Sequence, residues 1–135
     1  MKTLFLLIIM MVSTIAYSQE PGGWMPNPAS VYAEQMGLKV HKWKDHKGNE
    51  YGMVQFADGV YSSEWDFYRG ATGKKHSYCT KKGYEVISDT IQHKGWTEVK
   101  AVCVKGKTKS GDYGIKIDML ELMEKNGDAQ KQQFK

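Results

Sequence analysis

The stretch VYAEQMGLKV, residues 31–40, returns in altered form as SYCTKKGYEV, residues 77–86, with Tyr32, Gly37 and Val40 answered by Tyr78, Gly83 and Val86. Such self-similarity restricts a chain to architectures assembled from two like supersecondary units in tandem. The copies differ at one informative place: Ala33 of the first is Cys79 of the second.

Each copy carries the same punctuation. Asn27 before Pro28 is an N-cap with proline at the first helical position, and Gly37 supplies a left-handed stop. Between them Ala29, Tyr32, Ala33 and Met36 recur at helical spacing, so residues 28–36 are expected to form a short helix. Residues 38–44 and 51–56 read as strands joined by the turn-rich DHKGNE, with Gly52, Val54 and Phe56 on the inner face. The segment SSEWDFYRG reads as a second helix, since Ser63 and Asp66 have capping-box spacing and Gly70 follows as a stop. The second unit repeats the order with longer loops: residues 77–82 as helix, YEVISD and WTEVKAVCV as strands, GKTKSGDYG as a turn, and MLELMEK as a helix opened by Asp118. The expected fold class is therefore α+β: two tandem helix-hairpin-helix units, residues 27–72 and 73–127, with four principal strands in one antiparallel sheet or two small ones and the helices packed on one side.

The first residues bear on the compartment. One lysine, an apolar run from Leu4 to Ala16 and small residues at Ala16 and Ser18 read as a secretory signal peptide over residues 1–18, cleaved near Ser18. The run is shorter than the roughly 18–20 apolar residues a spanning helix needs, so no stable membrane anchor is expected. A mature chain of about 117 residues suffices for one compact domain. Its flanks, residues 19–26 and 128–135, are polar or glycine-rich and expected to be mobile. The expected location is secreted or periplasmic, where disulfides persist. Cys79 on the first helix of the second unit and Cys103 on an inner strand face are then expected to be bridged, worth roughly 3.5 kcal/mol for a loop of about 25 residues.

The spaced matches NPASVY, Gly37, GNEYG, Phe56, DG and EWDFYRG resemble the exported domain of unknown function family 333, often labelled hemolysin. The resemblance covers residues 27–70 well, with residues 76–127 as a divergent second copy. It implies four cysteines, at the places held here by Ala33, Val54, Ser62 and Thr72. Because the second unit keeps one pair, Cys79 with Cys103, the implied pairing is 33 with 54 and 62 with 72. The family label implies membrane activity. Insertion would need a long amphipathic helix or a series of barrel strands, and the sequence predicts neither.

Reactive chemistry finds little support. His41, His46, His76 and His93 lack metal-ligand spacing, and no G-x-S-x-G is present. The carboxylates Glu64 with Asp66 and Asp118 with Glu121 fall in first helical turns, where acids meet the helix dipole. No catalytic role, metal or other cofactor is expected. The net charge of +4 is modest, and Arg69 is the single arginine among 19 basic residues, which disfavours nucleic acid. Two groups remain as candidate binding residues. Lys42, Trp43 and Lys44 lie in KVHKWKDHK, where strand alternation puts Trp43 with Lys39 and His41 and sets Lys42 and Lys44 on the opposite face. Trp65, read as the core anchor of its helix, is followed one turn later by Arg69. The expected function is an exported, non-catalytic binding module, monomeric, with an unknown protein or an envelope glycan as partner. Inhibition of an extracellular hydrolase and membrane activity are the alternatives.

Overall fold

The structure, a computed structural model, describes residues 27–129, so the expected signal peptide, the segment 19–26 and residues 130–135 lie outside it. Chain order is α1 (Pro28–Gln35), β1 (Lys39–Lys44), β2 (Glu50–Ala57), β3 (Val60–Ser63), α2 (Glu64–Tyr68), a 3-10 turn (Lys74–His76), α3 (Tyr78–Lys81), β4 (Glu85–His93), β5 (Trp96–Lys107), β6 (Tyr113–Asp118) and α4 (Met119–Lys125). The protein is mostly β: two three-stranded antiparallel sheets, β1-β2-β3 and β4-β5-β6, joined to short helices. This overturns the expected α+β class of helix-hairpin-helix units with four principal strands.

The missing element in each half is a third strand. Val60 and Tyr61 favour extended backbone, and β3 pairs with β2, setting Val54 against Ser62 and Gln55 against Tyr61. In the second half the turn ends at Asp112, and Tyr113 to Asp118 run back along β5. The capping-box spacing of Ser63 and Asp66 misled: Ser63 is the N-cap of α2, yet its side chain makes no cap bond. Other caps behave as expected. Asn27 accepts from Ala29 N, Ser77 from Thr80 N and Asp118 from Leu120 N.

One core serves both halves. Tyr32, Ala33, Met36, Val54 and Phe67 pack in the same cluster as Tyr78, Cys79, Val86, Ala101, Cys103, Met119, Leu122 and Met123. Phe67, not Trp65, anchors α2: Phe67 is fully buried, whereas Trp65 is 36% exposed. A five-residue helix has room for one inward aromatic, and Phe67 takes that place 5.0 Å from the Tyr32 ring. The seam between the halves is close. Gly70 ends α2 at φ +76°, and a Cβ there would come within 2.8 Å of Val86 Cγ2 and 3.2 Å of Ala101 Cβ, so only glycine lets the chain rest on the second sheet.

Polar links cross that seam. The Tyr78 backbone N–H donates to the buried Tyr32 hydroxyl at 2.9 Å, and Lys81 Nζ donates to the Met36 carbonyl at 2.7 Å. Asp128, placed in the tail by the sequence reading, is tied down: it accepts from the Tyr78 hydroxyl at 2.6 Å, pairs with Lys82 at 3.0 Å, and its carbonyl accepts from Gln35. The Tyr78 hydrogen bond and the Lys82 ammonium hold the Asp128 carboxyl below its ordinary value.

Cys79 and Cys103 are bridged and both fully buried. At the corresponding places of the first half, Ala33 and Val54 are also fully buried and need no covalent closure. Ser62 and Thr72, implied by the resemblance to be the other pairing, meet as a hydroxyl-hydroxyl hydrogen bond of 2.8 Å.

Two outcomes are expected. Replacing Cys79→Ala and Cys103→Val together, which installs the first half's apolar pair, should keep the fold while lowering unfolding free energy in urea by about 2–4 kcal/mol. Burial holds the Tyr32 phenol up at about 12 from 10.0. The associated stability, on the order of 2–3 kcal/mol, is whole below the ordinary tyrosine value and is lost as pH rises through about 12. Tyr32→Phe should therefore weaken the protein at neutral pH, by loss of the Tyr78 N–H acceptor, yet flatten the alkaline fall in urea midpoint.

Candidate functional site

Alternation along β1, β2 and β3 sorts the first sheet into two faces. Toward the core point Val40, Val54 and Phe56; away from it point Lys39, His41 and Trp43 from β1, Tyr51, Met53 and Gln55 from β2, and Tyr61 from β3. The outward face carries a connected set of rings. Trp43 contacts Tyr61 at 5.2 Å between centroids and Tyr51 at 6.4 Å, and His41 meets Tyr61 edge-on at 5.5 Å. His41 Nε2 and Gln55 Oε1 lie 2.9 Å apart in a hydrogen bond that fixes the imidazole. Trp43, Tyr51 and Tyr61 remain 38%, 43% and 36% exposed.

The second sheet provides an internal comparison at the same places in the register. Counting from the Val40–Val54 pair in one sheet and the Val86–Cys103 pair in the other, Trp43 opposite Tyr51 corresponds to Asp89 opposite Lys100. Likewise Tyr61 opposite Gln55 corresponds to Lys116 opposite Val104, and Ser63 opposite Met53 to Asp118 opposite Val102. There the four charges satisfy one another. Lys116 pairs with Asp89 and Lys100 with Asp118, each at 2.8 Å, and Val102 and Val104 on the same face are 3% and 0% exposed. At these positions the second sheet pairs charge with charge, and the first presents rings to solvent.

The residues singled out from sequence are dispersed. Trp43 belongs to the aromatic face. Lys42 and Lys44 lie on the other side of β1, as alternation required, and Lys44 pairs with Glu50 at 3.2 Å, an exposed contact. Arg69 lies over the Trp65 ring at 5.2 Å, so these two partner each other on α2 and do not join Trp43. Cys79 and Cys103 are in the core. Tyr51 and Tyr61 were missed. Tyr51 was legible, since it falls on the face opposite Gly52 and Val54; Tyr61 was not, because the expected order holds no strand between residue 56 and the helical segment SSEWDFYRG.

Other polar clusters are structural. Glu64 is 2% exposed and accepts from Asn27 Nδ2 at 2.6 Å and from Ser30 Oγ, joining the starts of α1 and α2. Gly52 makes room for that carboxylate, since a Cβ at position 52 would overlap it. His76 stacks on Phe56, and burial, with Lys75 and Lys81 beside it, lowers its pKa. Among the described residues no three His, Cys, Asp or Glu side chains converge to hold a metal ion, and no helix is long and apolar enough to cross a membrane.

Comparison with known proteins reaches the first half. Residues 24–71 match the model of a domain of unknown function, DUF333. An uncharacterized protein of Archaeoglobus fulgidus is 39% identical over 59 residues, a match covering 44% of this chain and 27% of that protein. The chain thus spans about a quarter of that relative's length. No solved structure matches the chain.

Because its ring is surface-borne, Trp43→Ala should cost less than about 1 kcal/mol of unfolding free energy in urea, whereas Phe67→Ala should cost about 3–5 kcal/mol through a core cavity.

Proposed function

We propose that the chain is an exported, non-catalytic binding module whose ligand surface is the outward face of the first sheet. The observation that carries this reading is the exposed cluster of Trp43, Tyr51 and Tyr61, placed where the second sheet spends the same positions on mutual ion pairs. The scaffold is able to close that face, and in the first half it does not. Rings left in solvent on a rigid sheet, fixed by edge contacts and by the His41–Gln55 bond, lose little conformational freedom on binding, which favours recognition. Export is supported by the Cys79–Cys103 bridge, which belongs to an oxidising compartment, and by the signal-like first 18 residues. Tandem duplication of one unit is supported by the common order of helix, three strands and helix, and by the matching Val40–Val54 and Val86–Cys103 pairs.

The test transplants one face onto the other. A variant carrying Trp43→Asp, Tyr51→Lys, Tyr61→Lys and Ser63→Asp should form the two ion pairs of the second sheet and stay folded. Immobilised mature protein should retain material from its own envelope and culture medium that this variant loses, as read by mass spectrometry and sugar analysis. Equal retention by both would reject the face as the ligand surface.

A further inference from the structure

We infer that the aromatic face is a binding site for an acidic oligosaccharide. The inference rests on the reading of that face as a ligand surface and names its chemistry. Size is the first argument. Three strands about 4.8 Å apart and roughly six residues long at about 3.3 Å per residue give a face on the order of 200–300 Å². A stable protein interface takes about 800 Å² from each partner, so the face is too small for a protein and matches two or three pyranose rings.

The rings and their surroundings supply the rest. Trp43 makes interplanar angles of 49° with Tyr61 and 75° with Tyr51, so its ring contacts both. Their outer surfaces suit the C–H-rich faces of successive sugars, whose partial positive charge meets the negative ring face. Hydrogen-bonding capacity lies beside the rings. The Tyr51 and Tyr61 hydroxyls and the Gln55 amide nitrogen have no protein partner among the described residues, while the Gln55 oxygen is held by His41.

Charge selects the acid. Among the outward residues of the face, Lys39, His41, Trp43, Tyr51, Met53, Gln55, Tyr61 and Ser63, there is no carboxylate. Lys39 is exposed, makes no ion pair among the described residues, and stands opposite Gln55 at one end of the ring cluster. Glu50 of the same hairpin is engaged by Lys44 on the other side of β1, and Asp45 is occupied within its loop by Asn49. A uronate or a sulfated or phosphorylated sugar placed over Tyr61 would reach Lys39.

The full mature chain would be titrated with hexasaccharides of galacturonate, hyaluronan and chitin, following backbone amide resonances and tryptophan fluorescence. The expected result is saturable shifts at residues of β1, β2 and β3, absent from β4, β5 and β6, with the two acidic probes binding more tightly than chitohexaose and weakening as salt rises. Trp43→Ala should weaken binding roughly tenfold or more, with an unchanged thermal midpoint showing that the fold is intact. Lys39→Gln should remove the preference for acidic probes, Lys42→Gln on the opposite side should leave it, and Trp96→Ala, an exposed tryptophan elsewhere, should change nothing. Absence of shifts with all three probes would overturn the saccharide, and equal binding of neutral and acidic probes would overturn the acid. If the oligosaccharides stay silent while the face-swapped variant still loses its envelope partner, the ligand surface stands and its chemistry is a protein segment; if both experiments are silent, the surface itself falls.

Discussion

The inner faces of two small sheets must share one core, and the Tyr32 hydroxyl sits where they join. Neither three-stranded sheet, backed by helices of eight residues or fewer, encloses much apolar volume on its own. Packed together they bury Tyr32, Phe67, Cys79, Cys103 and Met123 completely. Closing the seam traps the first backbone N–H of α3, and the Tyr32 hydroxyl satisfies it. A buried amide left without that acceptor would cost about 1–3 kcal/mol, a large fraction of the stability of a small domain. The seam thus fixes the inward faces of both sheets and leaves the two outward faces as the surfaces free to vary.

Those surfaces show how a shared scaffold is used in two ways. The Lys116–Asp89 and Lys100–Asp118 pairs lie on the same face as the buried Val102 and Val104, and there the charges neutralise each other. On the first sheet Met53 occupies the place of Val102 and is only half-buried. A face sealed by internal pairs has little left to offer a ligand. One tiled with partly exposed aromatics keeps both surface area and polar edges available.

Much of this was legible in the residues, and the losses have physical causes. Helix starts at Asn27 and Asp118 followed from capping chemistry, the bridge from the pairing of two cysteines in an expected export context, and the faces of β1 from strict alternation. The third strands were lost because a strand of four residues, Val60 to Ser63, runs directly into a helix start, and the local signal for the cap outweighed the weaker one for extension. In the second half a loop rich in lysine, serine and glycine hid the start of β6. Trp65 looked like an anchor because it is the largest apolar side chain of its segment, but inward position depends on helical phase, and that selected Phe67. The role of Tyr61 depended on β3 and vanished with it. The second sheet's ion pairs could not be foreseen, since each joins residues brought together only by register.

The Ser62–Thr72 hydroxyl contact and the Cys79–Cys103 bridge close loops in opposite halves by different chemistry. Hydroxyls meet as soon as the backbone brings them near, whereas two thiols must first surrender electrons to an acceptor. Closure in the first half therefore needs no redox partner, and the second half reaches its bridged form only where an oxidant is at hand.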